Sequence, residues 1–375
     1  MSAHRYLAWF VATILGLTAI TATLNFIVDP YLVFGTPRIS GFNQNKSAIN
    51  DYVRTAKAFE PFRHDTDVLL VGNSRVEMGL DPDHACFAEL GLHAYNLGIP
   101  GAGVGQQLNY ALNIVYAQPV RQVFLSVDFL DFLVSNETIP PQADPVVETN
   151  ILPRRFDGSD NPVYGWTIAK TKFQALFSLN ALTHSVKTLL LQGQDQPNRL
   201  FNGFNPAGDF ARATAAEGPG ALFEQKMTSL QVRLAPPMGL RYTDGTLVRE
   251  FELFSRFLDI AAAEGVEIVV LTNPFHEWFW DLVRERGLMD EYESWLDEIR
   301  HRVHSAAGKV VMWEFSGESE FIHEQVPRWG IAAPPLDWFW EPSHYRKSLG
   351  DKMLDSMLAT ECGSEANFGD QLVRH

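Results

Sequence analysis

The chain has 375 residues, and its formal charge is −15 because 45 acidic residues outnumber 30 basic ones. That length predicts two domains or one large elaborated domain. An apolar fraction of 46% is typical of a globular protein, which excludes wholesale disorder, collagen and coiled coil. The acidic balance, without any Lys or Arg run, argues against nucleic-acid binding. Two cysteines, Cys86 and Cys362, exclude a four-cysteine zinc site; they either form one disulfide or stay unpaired and buried.

The N-terminal segment predicts a membrane helix. Residues 6–28 carry no charged side chain, and a helix of that length spans a hydrocarbon layer of about 30 Å. A buried core helix would rarely lack a polar face over such a length, and a cleaved signal peptide would have to end at Ala22, where Ile20 stands in place of a small residue. We therefore expect a retained anchor that binds the membrane through residues 6–28. With Arg5 on the cytoplasmic side, the rest of the chain lies outside the cytoplasm, in a bacterial periplasm or cell envelope.

The chain after the anchor alternates helices with short apolar strands. Residues 29–64 are predicted to form a connector and a first helix, 47–59, and residues 65–375 the main domain. Strands are predicted at 67–71, 94–97, 122–127, 266–272 and 310–313, and helices at 83–90, 106–116, 247–264, 278–286, 292–306 and 348–358. Apolar strands of this kind are buried on both faces. The order predicts an α/β fold with a parallel sheet covered by helices on both sides.

The alternation lapses between residues 135 and 246. This stretch contains two Pro-Pro pairs and one amphipathic segment at 176–191. Because so long a connection is unusual between two strands, we interpret it as an inserted subdomain or lid of helices and loops. Ligands bind at the carboxyl edge of an open α/β sheet, so the insertion is expected to contact substrate. The alternative is that it packs against a neighbouring protein.

Two predicted strands end in turns that carry polar groups. Ser74 follows the first strand after a glycine, a position that would present its hydroxyl at the sheet edge as a nucleophile. A serine at such a position is more often a helix cap. The next strand ends in Asn96-Leu97-Gly98, where the glycine either brings a backbone N–H close to a substrate oxygen, as an oxyanion hole requires, or simply forms a turn.

A third polar group lies immediately before the last helix. His344 is suited to take the proton of a serine nucleophile, and Glu341 to fix the tautomer of that histidine. Asn273 and His276 follow the strand 266–272 at the same edge of the sheet. His276 is either a substrate ligand or alternative base there, or a surface histidine that caps the helix 278–286.

The sequence resembles the SGNH (GDSL-type) hydrolase superfamily in three groups that occur in this order at successive strand ends. They are the turn with Ser74, the turn Asn96-Leu97-Gly98, and the pair Glu341 and His344. The resemblance covers residues 65–132 and 247–358. It is closer still to membrane-anchored bacterial members, which begin with one helix and a short Asp-Pro-Tyr segment, here at 29–31. The resemblance implies a flavodoxin-like three-layer α/β/α sandwich. It also implies a catalytic triad and an oxyanion hole, with the triad at Ser74, His344 and Glu341 and the oxyanion donors at Ser74 and Gly98.

The chain departs from the family pattern at three positions. Asn73 stands where the family has aspartate before its serine, and Glu341 replaces the triad aspartate, for which Asp337 is an alternative. No asparagine occurs near Asp128, where the third family block has one. Losing one oxyanion donor of that kind typically lowers turnover by about 10²–10³-fold. Asn73 and Asn273 are the candidate replacements.

The sequence therefore predicts an envelope-anchored serine esterase or O-acyltransferase that acts on acyl esters of a cell-surface or exported glycan. The expected substrate-binding residues are Arg75, Asn96, Asp128, Asn273 and His276. No metal or nucleotide motif occurs, so no cofactor is expected. The expected partners are an acylated glycan or small ester and, for transfer, a membrane protein that delivers the acyl group. The alternative is an inactive SGNH-like protein that binds or assembles glycans.

Overall fold

The chain divides into two compact units. The computed structural model describes residues 3–141, 150–193, 199–331, 333–363 and 368–373. The first unit, called the helical unit here, consists of Met1–His64, Asn150–Pro153 and Asp160–Arg199, and the second, the sheet unit, of Asp65–Thr149, Arg154–Ser159 and Leu200–His375. The insertion predicted at 135–246 is therefore shared between the two units, and its residues 142–149 and 194–198 lie outside the described residues.

Helices are distributed over both units. In chain order, those of the described residues are α1 (Ala3–Val28), α2 (Val53–Phe59), α3 (Ser74–Gly79), α4 (Ala85–Glu89), α5 (Val104–Val115), α6 (Tyr164–Phe177), α7 (Leu179–Leu190), α8 (Gly208–Glu217), α9 (Pro219–Arg233), α10 (Glu250–Ala263), α11 (Glu277–Glu285), α12 (Met289–Ser305), α13 (Lys347–Met357) and α14 (Ala359–Cys362). Three short 3₁₀ helices occupy Pro61–Arg63, Phe129–Asp131 and Glu320–His323.

The strands belong to the sheet unit. They are β1 (Val68–Val71), β2 (Ala94–Asn96), β3 (Gln122–Val127), β4 (Val134–Ser135), β5 (Met238–Gly239), β6 (Glu267–Thr272), β7 (Val310–Glu314), β8 (Phe339–Glu341), β9 (His344–Tyr345) and β10 (Asp370–Val373). Six of them form the main sheet in the order β10-β7-β6-β3-β1-β2, and β10 alone is antiparallel to its neighbour. The predicted α/β class with a mostly parallel sheet is confirmed.

The strand order explains where a site should lie. The parallel strands run β2-β1-β3-β6-β7, which is the flavodoxin-like order, and the chain reverses direction across the sheet between β1 and β3. A crevice opens outside the carboxyl ends of the strands at such a switch point. β1 consists of valine and leucine and is buried along its whole length. Such a composition is typical of a strand that helices cover on both faces. The residues that follow β1 and β3 therefore lie at the predicted ligand edge.

A disulfide closes the sheet unit. Cys86 on α4 and Cys362 on α14 are bonded to each other, with their Cα atoms 5.8 Å apart. Of the two alternatives left open by the sequence, the pair rather than two free thiols is observed. The loop between the two cysteines contains most of the sheet, so the bond restricts the unfolded chain strongly, and bonds of this kind typically contribute about 2–4 kcal/mol. The disulfide and the apolar α1, a signal sequence or an anchor, indicate an exported chain.

The helical unit packs the end of α1 against α6 and α7. Within α1 only Asn25 and Val28 are buried, whereas the preceding turns are exposed and apolar. The Asp29 carboxylate accepts hydrogen bonds from the N–H groups of Val33 and Gly35, at 2.9 and 2.8 Å, and so holds the turn that follows the helix. The predicted helix 47–59 is helical only from Val53 onward, because turns occupy the residues before it.

Candidate functional site

Ser74 lies at the first position of α3, at the carboxyl end of β1. The side chain of Asn73 caps the helix by accepting a hydrogen bond from the Arg75 N–H at 3.0 Å. The turn between strand and helix is tight because Gly72 has no side chain: a Cβ there would lie 2.5 Å from Val76. The Ser74 side chain is half-buried, and the geometry presents its hydroxyl at the switch point of the sheet.

Glu341 and His344 belong to a two-strand hairpin. In the pairing of β8 with β9, Glu341 lies directly opposite His344, and Pro342 and Ser343 form the connection. Directly opposed residues of antiparallel strands have Cβ atoms only about 5 Å apart. The spacing of three residues between the acid and the histidine therefore follows from the shortest hairpin that brings the two side chains together.

Ser74, His344 and Glu341 form a continuous hydrogen-bonded chain. Ser74 Oγ lies 2.7 Å from His344 Nε2, and His344 Nδ1 is bonded to Glu341 Oε1. Because the carboxylate accepts a hydrogen bond from the Nδ1–H group, Nε2 is left to accept the serine hydroxyl proton. Asp337, the alternative acid, is exposed, and its N–H donates to Glu324. The arrangement is that of a nucleophile, a general base and an orienting acid.

The electrostatics favour a neutral histidine and an ionised glutamate. Burial lowers the pKa of His344 below its ordinary value, despite the opposing attraction of Glu341. Burial by itself would raise the pKa of Glu341, but the charge and hydrogen bond of His344 bring it down to about 2, with help from Lys226. The Ser343 N–H donates to Glu341 Oε2 at 3.0 Å, which stabilises the carboxylate. A neutral imidazole at physiological pH is ready to accept a proton.

One glycine lets α3 pack closely against the hairpin, and a second lets α13 pack closely against α3. A Cβ on Gly79 of α3 would lie 2.0 Å from the ring of Tyr345, and a Cβ on Gly350 of α13 would lie 1.9 Å from the Gly79 carbonyl oxygen. Both contacts are impossible for any residue with a side chain. Sequence reasoning missed these positions, although a glycine inside a helical pattern is a sign of close packing. The approach brings His344 within reach of Ser74.

Two of the three predicted oxyanion donors, Gly98 and Asn73, are already engaged. The Gly98 N–H donates to Asn96 Oδ1 at 2.8 Å, and both N–H bonds of the Asn73 amide point to carboxylates, those of Asp128 at 3.1 Å and Asp131 at 3.2 Å. Gly98 instead allows close packing, since a Cβ there would lie 2.5 Å from a backbone nitrogen of α3. Among the described residues none accepts a hydrogen bond from the Ser74 N–H. The geometry therefore supports Ser74, and neither Gly98 nor Asn73, as an oxyanion donor.

Three of the predicted substrate-binding residues are buried and paired with one another. Arg75 forms an ion pair with Asp128 and donates from Nε to the Ser343 carbonyl at 2.7 Å. Asn273 accepts a hydrogen bond from Ser126 at 3.0 Å and donates to Asp128 at 3.5 Å. These contacts tie the serine turn to the histidine hairpin beneath the reactive atoms. These side chains are buried and already paired, and their expected contact with substrate stays a prediction.

The other two predicted substrate-binding residues form hydrogen bonds with backbone groups. Asn96 is fully buried and donates to the carbonyls of Val76 and Leu80, at 2.8 and 2.7 Å. His276 caps α11 by accepting from the Trp278 N–H, and its Nε2 lies 2.8 Å from the Glu324 carbonyl. Burial lowers the pKa of His276, so a neutral ring with both nitrogens used fits this position. The expected cap is observed, but His276 is fully buried and not at the surface, and its role as a ligand or base stays a prediction.

Sequence reasoning missed the side chains that cover the triad from the insertion. The ring of Phe210 on α8 lies 5.9 Å from the ring of His344, and Lys226 Nζ on α9 lies 3.8 Å from Glu341 Oε1. Both helices belong to the sheet unit. No local pattern marks either residue, because their position depends on how the insertion folds back over the strand ends. The part of the insertion that follows Arg199 is therefore the part that meets the candidate site.

Comparisons with known proteins leave the family open. No family model, no curated protein and no solved structure matches the chain. The structure supports an α/β protein with a mainly parallel six-stranded sheet, without identifying a family. The part of the chain that the structure describes contains no group of three or more His, Cys, Asp or Glu side chains arranged to hold a metal ion. The function must therefore be argued from the site itself.

Proposed function

We propose that the protein is a serine esterase or O-acyltransferase of the SGNH type. The observation that carries the proposal is the hydrogen-bonded chain from Ser74 Oγ through His344 to Glu341, with its 2.7 Å contact at the switch point of a flavodoxin-like sheet. A buried glutamate that fixes a histidine beside a half-exposed serine is the arrangement by which hydrolases activate a hydroxyl. If Ser74 served only to cap the helix, it would need neither His344 nor Glu341 beside it.

The residues act in two half-reactions. Ser74 Oγ attacks the ester carbonyl while His344 Nε2 takes the hydroxyl proton, and the N–H of Ser74 donates to the developing oxyanion. His344 then returns the proton to the leaving alcohol, which leaves the acyl group on Ser74. In the second half, His344 deprotonates water for hydrolysis or a glycan hydroxyl for transfer, and the new oxygen displaces Ser74. Glu341 keeps the imidazole oriented and stabilises its charged form in both halves.

The location proposed for this activity is the bacterial periplasm or cell envelope. α1 is long and apolar enough to cross a membrane, and it continues past Ala22 as one helix into Asn25, which is buried in the helical unit. A retained anchor is proposed over a cleaved signal peptide because Ile20 stands where cleavage after Ala22 would need a small residue. An anchored enzyme outside the cytoplasm meets acylated cell-surface or exported glycans, and transfer would draw the acyl group from a membrane protein.

A second candidate function is that of a glycan-binding or assembly protein without turnover. It is favoured by the engaged N–H groups of Gly98 and Asn73, which leave Ser74 as the supported oxyanion donor. Because each missing donor typically costs about 10²–10³-fold in turnover, an incomplete hole is compatible with a protein that only binds.

A fluorophosphonate probe distinguishes the two functions. In labelling, Ser74 Oγ would displace fluoride at phosphorus while His344 takes the proton. We expect the purified full chain to be labelled, the Ser74→Ala variant to be unlabelled, and the Ser348→Ala variant, which removes an exposed hydroxyl of α13, to be labelled like the parent. A folded parent chain that resists labelling at every pH would favour the binding protein.

A further inference from the structure

The hairpin of α6 and α7 exposes a row of large apolar side chains on each of its helices. The members of each row recur at intervals of seven and four residues, so each set lies on one helix face. The two rows, together called the outer stripe here, consist of Trp166, Phe173 and Phe177 on α6 and Leu179, Val186 and Leu190 on α7. Trp166, Leu179 and Leu190 are 75%, 78% and 77% exposed. Six side chains of this size on two neighbouring helices are rarely left in water.

The opposite face of the hairpin is already used for packing. Ala175 and Ala181 are buried in an apolar cluster with Tyr31, Val33 and Ala48 of the same unit. The outer stripe is therefore not the face that holds the hairpin in the fold. A helix pair that buries one face and exposes a second apolar face needs another apolar medium for the second.

The hairpin packs against the last turns of α1, at the point where the exposed apolar part of that helix ends. Asn25 Nδ2 donates to the Leu176 carbonyl at 2.8 Å, and Asn25 Oδ1 accepts from the Ser185 hydroxyl at 2.8 Å. Residues 3–20 of α1 precede these contacts and are exposed; as a helix they are about 27 Å long, close to the roughly 30 Å of a hydrocarbon core. If α1 spans the bilayer, the hairpin therefore begins where the hydrocarbon ends.

The charge of the hairpin is opposite to that of the chain. Residues 161–193 contain Lys170, Lys172 and Lys187 and no Asp or Glu, although the whole chain has a formal charge of −15. Lysines beside a stripe with tryptophan and phenylalanine are typical of helices that lie in the interface of an anionic bilayer. A protein partner would not require the absence of every acidic side chain.

We propose that the outer stripe of the α6–α7 hairpin is seated in the interface of the same bilayer that α1 spans, with its lysines on anionic phospholipid headgroups. The apolar side chains enter the boundary of the acyl chains, and each lysine near the surface contributes about 1 kcal/mol of attraction. This inference rests on the proposed anchoring of α1, and the experiment below separates the two.

The test uses the full chain in single-copy nanodiscs that contain brominated lipid. An environment-sensitive fluorophore is attached to one introduced cysteine, at Phe173→Cys or Leu190→Cys, without reductant, so that Cys86 and Cys362 stay bonded. Leu15→Cys in α1 reports on the anchor, and Val232→Cys, 71% exposed on α9, is the matched control. We expect bromine to quench both hairpin labels to an extent comparable with Leu15, and to leave Val232 unquenched.

The outcomes separate the hairpin from the anchor. Quenching at Leu15 with hairpin labels that behave like Val232 would overturn the hairpin proposal and leave the anchor standing. A Leu15 label without quenching would refute the anchor itself, and the hairpin proposal with it. Hairpin labels that change only when discs hold two copies would assign the outer stripe to a second chain and also overturn the proposal.

The charge of the lipid provides an independent test of the contact with anionic headgroups. In the parent, quenching at Phe173→Cys should be stronger in discs with phosphatidylglycerol than in discs of phosphatidylcholine alone. Replacing Lys170, Lys172 and Lys187 by Gln should remove this difference. The same change at Lys309, Lys347 and Lys352, which alters the net charge equally, should keep it. Equal quenching of the parent in both lipids would contradict the assignment to anionic headgroups.

Discussion

The edge of the sheet and the α6–α7 hairpin depart from ordinary burial in opposite directions. Around Ser74, charged and amide side chains such as Arg75 and Asp128 are buried, and each is paired. On the hairpin, large apolar side chains such as Trp166, which is 75% exposed, face outward. A buried polar group costs free energy unless it is paired, and an exposed apolar patch is costly unless something covers it. Both departures therefore mark regions that serve something other than folding.

The largest expected effect concerns turnover at the sheet edge. Ser74→Ala and His344→Ala should each lower ester turnover by about 10⁴-fold or more, and the double variant should lose no more than the single ones, because the two residues act as a unit. The measurement is the initial rate of ester cleavage for the full chain and the three variants. Retained turnover in His344→Ala would show that another group is the base.

The next effect concerns stability rather than chemistry. Arg75→Met should lower the free energy of unfolding by about 3–5 kcal/mol, because it removes the cationic partner of Asp128 in a buried site. The matched control is Arg284→Met, which breaks an exposed pair with Asp281 and should cost less than about 1 kcal/mol. Denaturant unfolding of both variants checks the contrast. Equal losses would mean that the network beneath Ser74 contributes no more than a surface pair.

A smaller, pH-dependent effect is expected at Asp131. Burial and the charge of Asp128 raise its pKa from the ordinary value to about 6, although Arg75 and two hydrogen bonds oppose the shift. A carboxyl whose pKa is raised by folding is favoured in its protonated form, so its contribution is lost as pH rises through that range. Asp131→Asn should therefore stabilise the protein at pH 8 by at most about 3 kcal/mol more than at pH 4. Unfolding at both pH values provides the measurement, and a pH-independent difference would contradict the raised pKa.

The smallest effect is expected on the outer face of the hairpin. Trp166→Gln should change the stability of the detergent-solubilised chain by less than about 0.5 kcal/mol, because that side chain packs little within the fold. Ala181→Leu, on the inner face, should cost about 1–3 kcal/mol through overpacking. Thermal unfolding of the two variants compares the faces directly. A larger loss at Trp166 than at Ala181 would mean that the outer stripe is part of the core.

Much of the sheet could be predicted because apolar strands carry a local signal. The strand at residues 122–127 is predicted with the bounds that the structure has, and the other parallel strands differ by at most a residue or so at each end. β10 was missed because its four residues, two polar and two apolar, show no alternation and become a strand only by pairing with β7. α3 was missed because six residues that end in glycine show no periodicity.

The site residues also divide into those that a local sequence signal marks and those that it does not. Ser74, Glu341 and His344 could be chosen from spacing, since each follows or precedes a recognisable element, and the structure brings them together. The roles of Arg75 and Asn96 could not be judged from the sequence. A side chain at a strand end can bind substrate or can bind backbone carbonyls inside the fold, and only the three-dimensional packing distinguishes the two. Their catalytic or binding roles stay predictions.

The most direct test of the central claim is the pH dependence of fluorophosphonate labelling at Ser74. If His344 is the base, the labelling rate should rise as its imidazole loses a proton and reach a plateau. Because burial lowers the pKa of His344, the midpoint should lie below the ordinary histidine value of about 6.5. A rate that keeps rising in proportion to hydroxide, or a label that maps to another residue, would contradict a working relay from Ser74 to Glu341.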